Sequence, residues 1–340
     1  MVNPDVAVVI LNWNGKVFLE KFLPSVIVHS GNAKIFVADN ASTDDSIDFL
    51  TKNFPMVSIV RNSSNKGFAG GYNSALKQIK ADYYVLLNSD VEVTENWIPP
   101  IVSYMQSHTQ VAACQPKILD YNQKNKFEYA GACGGFIDYL GYPYCRGRIF
   151  NELELDEGQY NDSVPVFWAT GACLFVRSKI FWEVDGFDED FFAHMEEIDL
   201  CWRMKNKGQE IYVIPSATVY HVGGGTLQKE NPRKTFLNFR NSLITITKNN
   251  FGRFLFLKIV ARLLLDGVAA CKFLTEGRLA HLFAIIKAHW VYFLGLGKTI
   301  RKRKRIKAEL KYPYFDKCLL NKSIVHLHFL KGVKKYSQIK

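Results

Sequence analysis

Residues 6–15 read VAVVILNWNG: an unbroken apolar run from Val6 to Leu11, then a polar stop at Asn12, Trp13, Asn14 and Gly15. A continuous run of this length fits a strand covered on both faces, as in a parallel sheet flanked by helices. The pattern then repeats. Lys16–His29 has helical spacing, Lys34–Ala38 is a second strand closing on Asp39 and Asn40, and Thr43–Asn53 is a helix that Ser42 or Thr43 can cap. Val57–Val60 gives a third strand. The glycine-rich turn Asn65–Gly71 (NKGFAGG) leads into a helix over Tyr72–Lys80, and Tyr83–Leu87 gives a fourth strand ending in Asn88, Ser89 and Asp90. Strand–helix alternation of this kind predicts an α/β fold with a mostly parallel, Rossmann-like sheet.

Polar residues gather at one kind of place. Asn12, Asp39, the glycine turn and Asp90 all follow the carboxyl ends of expected strands, the edge where open α/β sheets bind ligands. Turns also use Asn, Asp and Gly for their own reasons. That suffices for Asn40, Asn62 and Gly15. Asp39 and Asp90, each just past an apolar strand at the same edge, point to a site. NKGFAGG is not a dinucleotide fingerprint. Gly295–Thr299 (GLGKT) follows a helical pattern and has Tyr292 where a phosphate loop needs a glycine.

The second part of the chain is less regular. Val111–Leu119 reads as a strand, and Ala130–Gly147 carries five glycines, which suggests hairpins or a mobile loop. Val164–Val176 holds two strand-like runs around Thr170 and Gly171, with Trp168 either stacking on a sugar or filling the core. Ile211–Ile214 and Thr218–Tyr220 are further short strands. His221 follows them, just before Gly223, Gly224 and Gly225; a lone histidine is usually a satisfied hydrogen-bonding residue, and this place at a strand end before glycines also suits a metal-ligating imidazole. The most charged segment is Gly186–Arg203 (GFDEDFFAHMEEIDLCWR). It sets carboxylates among Phe187, Phe191 and Phe192 and opens a helix with Glu196, Glu197 and Asp199. Such a turn either complements the helix dipole or holds charge beside a partly dry pocket.

Charge divides the chain. Residues 1–247 hold 22 Lys+Arg and 28 Asp+Glu, a net of −6; residues 248–340 hold 21 and 4, a net of +17. A catalytic body over 1–247 and a basic tail over 248–340 are expected. Phe254–Cys271 is apolar but carries Lys258, Arg262 and Asp266 on one helical face, which speaks against a spanning helix. Leu279–Gly297 contains His281, Lys287 and His289, and the basic run Arg301–Arg305 follows. Amphipathic helices beside a basic cluster suit an anionic membrane surface; a helical subdomain packed on the core is the alternative. No nucleic-acid reading motif accompanies the basic run, so nucleic acid is not an expected partner. Seven cysteines without CxxC spacing, and an opening without a charged leader, read as a reduced protein facing the cytoplasm.

Six blocks in order, VVILNWNG, VADNASTDDS, NSSNKGFAGGYNSAL, YYVLLNSDVEV, GFDEDFFAHMEEIDLCWR and VYHVGGGT, resemble the family 2 glycosyltransferases of the GT-A fold over roughly residues 5–245. The resemblance is to the branch with bacterial rhamnosyl- and other cell-surface polysaccharide transferases. It implies an inverting enzyme that uses a nucleotide-diphosphate sugar, dTDP or UDP, with Mg2+ or Mn2+. It places Asn12 and Asp39 against the nucleoside, with Asn65 and Gly67 nearby. Asn88 and Asp90 match the first and last positions of the family's DxD motif, so Asn88 is a departure and Asp90 a metal ligand. His221 matches a further metal ligand. Glu197 holds the catalytic-base position, where the family more often has Asp. Trp168, Asp188, Glu196, Asp199 and Arg203 would face the acceptor or support residues that do. The chemistry is consistent: a sugar hydroxyl needs a carboxylate to take its proton, and a diphosphate leaves once its charge is neutralised. Rhamnose fits the resemblance best, with a saccharide or lipid-linked acceptor at the cytoplasmic face of the inner membrane. A sugar nucleotidyltransferase and a non-catalytic sugar-binding protein are the alternatives, and LNWNGK offers little of the loop the former needs.

Overall fold

The computed structural model describes residues 4–223, 231–310 and 317–339. Its strands are β1 (Val6–Asn12), β2 (Lys34–Asp39), β3 (Ser58–Arg61), β4 (Tyr83–Asn88), β5 (Val91–Val93), β6 (Val111–Asp120), β7 (Gly135–Asp138), β8 (Pro143–Cys145), β9 (Arg148–Ile149), β10 (Glu152–Leu153), β11 (Val164–Val166), β12 (Cys173–Arg177), β13 (Glu210–His221) and β14 (Leu319–Leu320). The helices are α1 (Lys16–His29), α2 (Ser46–Asn53), α3 (Gly67–Leu76), α4 (Pro99–Ser107), α5 (Ser178–Glu183), α6 (Glu196–Asn206), α7 (Pro232–Asn249), α8 (Leu255–Thr275), α9 (Leu279–Leu294), α10 (Leu296–Ala308) and α11 (Ile324–Lys331). Gly224 and Gly225 of the expected glycine run lie outside the described residues.

The main sheet runs β11-β13-β6-β12-β4-β1-β2-β3, with β5 added on the end of β13. β1 to β4 are parallel, β12 enters antiparallel between β4 and β6, and β13 is parallel to β6. β1, β2, β4, β6 and β13 therefore finish at one edge. Register fixes the row: Asn12 opposite Asp39, Leu11 opposite Asn88, His221 opposite Asp120.

Alternate side chains of the apolar strands feed two cores, as a pleated strand requires. Ala7, Val9, Tyr84 and Leu86 pack with α3 and α6 residues such as Tyr72 and Trp202. Val8, Ile10, Val85 and Leu87 pack with α1 and α4 residues such as Leu23 and Ile101.

Several boundaries differ from the sequence expectation. α2 begins at Ser46, without a capping side chain; Ser42 and Thr43 instead join the loops after β1 and β2, through Asn14 N–H to Ser42 Oγ (2.9 Å) and Thr43 N–H to Asn14 Oδ1 (2.7 Å). The glycine turn is itself the first turn of α3. The two short strands expected at 211–220 are one strand, β13, with a register shift between Ile214 and Thr218. The glycine-rich stretch after β6 builds a second sheet, β10-β9-β8-β7-β14, whose last member comes from the basic tail.

Gly67 ties the start of α3 to the charged segment. It has φ +69°, and a Cβ there would sit 2.4 Å from the Phe192 carbonyl oxygen. That carbonyl accepts from Phe68 N–H at 2.7 Å. Gly67→Ala is expected to destabilise the fold by more than about 1 kcal/mol, since a left-handed residue gains strain and a backbone clash. A thermal melt checks this; an unchanged midpoint would mean that the segment carrying Phe192 yields without cost.

The tail packs on the body through α10. Lys298 pairs with Asp190 (2.6 Å), Lys302 with Asp188 (2.5 Å) and Asp190 (2.6 Å), and Arg305 with Asp185 (2.6 Å). Arg303 donates to the Thr247 and Asn250 carbonyls at the end of α7, where a cation also suits the helix dipole. One face of the basic run is thus engaged by the protein. A cleft of about 450 Å³ lies in this seam, lined among others by Asp188, Arg203, Lys248 and Lys302; Asp90, Glu197 and His221 do not line it.

Candidate active site

β4 ends at Asn88, and a tight turn through Ser89 and Asp90 starts β5, which pairs with the end of β13. That pairing brings Asp90 beside His221. His221 Nε2 lies 3.1 Å from Asp90 Oδ1 and 3.4 Å from Asn88 Nδ2. On the other side of the ring, Nδ1 is 3.2 Å from Glu128 Oε2, at ion-pair distance but without hydrogen-bond alignment. Asp90, Glu128 and His221 are all buried. Burial opposes a charge on His221, yet Glu128 and Asp90 outweigh it and raise the imidazole pKa to about 10. Burial also pushes the Asp90 carboxyl up, but His221 and the amides of Asp90 and Gly223 hold it below the usual range. The surroundings of this imidazole are built to hold one positive charge.

Among the described residues, no group of three or more His, Cys, Asp or Glu side chains is arranged to hold a metal ion. The donors Asp90 and His221 still fit an Mg2+ or Mn2+ ion, which commonly takes one or two protein ligands and completes its shell with phosphate oxygens and water. The carboxylate of Glu128 beside Nδ1 is also how metal-binding histidines are usually oriented.

The residues expected against the nucleoside form a separate cluster at the same edge. Asn12, fully buried, donates from Nδ2 to Asp39 Oδ1 (3.3 Å) and Ser42 Oγ (3.1 Å). Its Oδ1 is buried without a partner. Gly15 leaves it room, because a Cβ there would come within 2.6 Å of that oxygen. Asn65 is exposed and accepts from Gly67 N–H (2.9 Å) and Asn40 Nδ2 (3.0 Å). Asn65 and Gly67 thus shape the loop before α3, and the amides that follow are taken by Phe192.

Glu197 is the second residue of α6. The turn before it is held by Asn241 of α7, whose Nδ2 lies 3.1, 2.9 and 2.8 Å from the carbonyls of Phe191, Ala193 and His194. Glu197 is half-buried. Burial pushes its carboxyl up to about 7, although its own amide and that of Ile198 donate to it and pull the other way. Glu196 is buried more deeply, with Oε2 unpartnered. Burial raises it well above the usual range, and the charges of Glu197 and Asp199 add to that. Burial also raises the Cys145 thiol; Arg148 opposes the rise, while Glu128 and Glu197 both add to it.

The remaining sequence candidates take supporting places. Of the two places open to Trp168, the core holds it: it is buried, its Nε1 donates to the Phe136 carbonyl at 3.0 Å, and its indole fills the space left by Gly135. Asp188, Asp199 and Arg203 do not reach the Asp90–His221 cluster. Asp199 pairs with Arg203 (2.9 Å) and Lys248 (2.7 Å), Lys248 also pairs with Asp188 (2.6 Å), and Arg203 donates to the Val184 carbonyl. Together they anchor α6 to α7 and α10. Sequence reasoning missed Glu128 and Asn241. Neither stands in a recognisable spacing, and only the pairing of β6 with β13 or the crossing of α6 and α7 reveals them.

The model for glycosyl transferase family 2 matches residues 7–184. The chain is 27% identical over 222 residues to an N-acetylglucosaminyl-diphospho-decaprenol L-rhamnosyltransferase of Mycobacterium tuberculosis, covering 60% of this chain and 71% of that one. Among solved structures it is similar to a mannosyltransferase from Pyrobaculum calidifontis in complex with GDP-Man and Mn2+, with a TM-score of 0.54 and 13% identity over 86% of this chain and 88% of that one. It is likewise similar to S. aureus TarS 1–349, with a TM-score of 0.55 and 14% identity over 90% and 83%. These likenesses carry the GT-A fold. With the family's model covering more than half of its length, the chain belongs to glycosyl transferase family 2 and is a glycosyltransferase.

Proposed function

We propose that this glycosyltransferase moves one sugar, rhamnose before others, from a dTDP or UDP donor to a saccharide or lipid-linked acceptor, with inversion and with a divalent cation. The observation that carries the reading is the buried His221 imidazole between Asp90 and Glu128, at the same sheet edge as Asn12 and Asp39. Asp90 and His221 would hold Mg2+ or Mn2+, and the bound cation would neutralise the leaving diphosphate. The similar mannosyltransferase solved with Mn2+ supports this. Asn12 Oδ1, a buried acceptor without a donor, suits the imide N–H that uracil and thymine share. Glu197, ionised, takes the proton of the acceptor hydroxyl as it attacks the anomeric carbon. One base and one displacement suffice for inversion. The rhamnosyltransferase relative supports the sugar and, by its name, a diphospholipid-linked acceptor. Work of this kind belongs at the cytoplasmic face of the inner membrane, in the synthesis of a cell-surface polysaccharide.

A thermal-shift panel of dTDP-rhamnose and UDP-hexoses, with and without Mn2+, tests the reading. The right donor at a hundred times its Kd should add about 2.7 kcal/mol of stability, and only with the cation. Asp90→Asn should lose the cation-dependent part. An equal shift without metal would remove the cation from the reading, and release of pyrophosphate instead of nucleoside diphosphate would remove the transfer.

A further inference from the structure

α8 and α9 are built inside out for water. On α8 the buried positions are Arg262, Asp266 and Ala270, spaced by four. Arg262 donates to the Leu140 carbonyl (3.0 Å) and Ser242 Oγ (2.6 Å), and Asp266 pairs with His289 of α9 at 3.0 Å. The polar side of α8 therefore faces the protein. Its opposite side presents Leu257, Leu264 and Val268, and α9 presents Phe283, Ile286 and Trp290; all six are between 54% and 68% exposed. Spacings of seven and four on α8, and of three and four on α9, gather each set on one face. Exposed apolar patches of this kind mark surfaces meant to be covered.

Charge decides what covers them. Lys272 lies one turn past Val268, Lys287 lies between Phe283 and Trp290, and Arg253 stands just before α8; all three are exposed. Arg253, Lys287, Arg301 and Lys304 have no carboxylate at ion-pair distance among the described residues. Between residues 253 and 294 the acidic residues are Asp266, buried, and Glu276. A second copy of the chain would bring this basic rim against itself. Anionic lipid headgroups complement it while the acyl boundary takes the apolar side chains. Among the described residues no single helix is long and apolar enough to cross a membrane, and only α9 and α10 together, bent by 60°, pass on length and composition.

We infer that the α8–α9 face is a monotopic docking surface for an anionic bilayer, with both helices lying in the interface and Trp290 at headgroup depth. The inference rests on the reading that the enzyme works at a membrane, and it names the face that does so. It leaves α10 as the strap between that face and the acidic loop at Asp185–Asp190.

The test is flotation of the full chain with vesicles of phosphatidylglycerol and phosphatidylethanolamine, beside vesicles of phosphatidylcholine alone. The wild type should float with the anionic vesicles. The triple variant Leu264→Glu, Phe283→Glu, Trp290→Glu should reduce the bound fraction at least tenfold. Lys272→Glu with Lys287→Glu should weaken binding in a salt-sensitive way. Far-UV circular dichroism and donor binding on the same samples should match the wild type, because every changed side chain is exposed. Flotation unchanged in the triple variant would overturn the docking face. So would wild-type protein that stays out of anionic vesicles but forms a dimer that the triple variant abolishes. Donor turnover in vesicle-free buffer separates the two readings: if it persists without flotation, the docking face falls and the transferase stands.

Discussion

Glu197→Gln is expected to reduce sugar transfer by ~10²–10⁴-fold, the usual worth of a positioned general base, with donor affinity close to that of the wild type. The amide keeps the shape of the side chain and the first turn of α6 but cannot take a proton from the acceptor. The neighbouring pair supplies the control. Glu196 is buried more deeply, its Oε2 has no partner, and burial raises its carboxyl well above the usual range, so it is the poorer ionised base and Glu196→Gln should cost far less than Glu197→Gln. Two carboxyls whose surroundings separate their pKa values are what an assignment of base and bystander needs. The pH dependence has a definite sign. A base works ionised, and burial raises Glu197 to about 7. The kcat/KM of the wild type should therefore fall with decreasing pH through about 7, well above the usual glutamate range. Initial rates from pH 5 to 9, with isothermal titration of the donor, check both points. Near-wild-type turnover by Glu197→Gln would take the base role from this residue.

The sheet was legible because its strands are buried on both faces, so VAVVIL, KIFVA and YYVLL stand out without an alignment. The same burial places Asn12, Asp39 and Asp90 at one edge, since Asn12 and Asp39 are the first polar residues after their apolar runs and Asp90 lies two residues past Asn88, which ends the fourth. What could not be read is what depends on pairing across the fold. Glu128 lies 93 residues from His221 in sequence, and their contact follows from the parallel register of β13 on β6 together with the turn that folds Lys126–Glu128 back along the end of β6. Asp188, Asp199 and Arg203 looked like site residues because charge was dense there. Their density answers cations supplied by α7 and α10, which no local spacing reveals. The basic run Arg301–Arg305 read as a cluster for an anionic membrane surface, whereas at helical period Lys302 and Arg305 pair with the acidic loop, Arg303 donates to the end of α7, and Arg301 and Lys304 stay exposed. Trp168 shows the limit of residue type as a signal: an indole serves a sugar or a core equally, and the glycine opposite it, Gly135, decides.

Lys248→Met should destabilise the protein by about 3–5 kcal/mol, the cost typical of removing one partner from a buried ion pair. Lys248 is 1% exposed and lies 2.6 Å from Asp188 and 2.7 Å from Asp199, which is itself wholly buried. Methionine fills much of the volume but leaves Asp199 with Arg203 as its cation beside the Asn249 amide, and Asp188 with Lys302 as its cation beside the Asp190 amide. Lys304→Met, at an exposed position on α10, should stay within about 0.5 kcal/mol, so urea unfolding of the two variants separates burial from loss of charge. The pH dependence separates them again. Burial pushes the Asp188 carboxyl up, but Lys248 and Lys302 hold it far below its ordinary value. Its folded pKa is thus depressed, and the stability it contributes is full at neutral pH and lost as pH falls below the unfolded value of about 3.9. The wild type should lose stability in that acid window, and Lys248→Met should lose less, having forfeited most of the pairing already. Equal acid sensitivity in both would mean that Lys302 alone sets Asp188. The strap from α10 would then hold the acidic loop without α7.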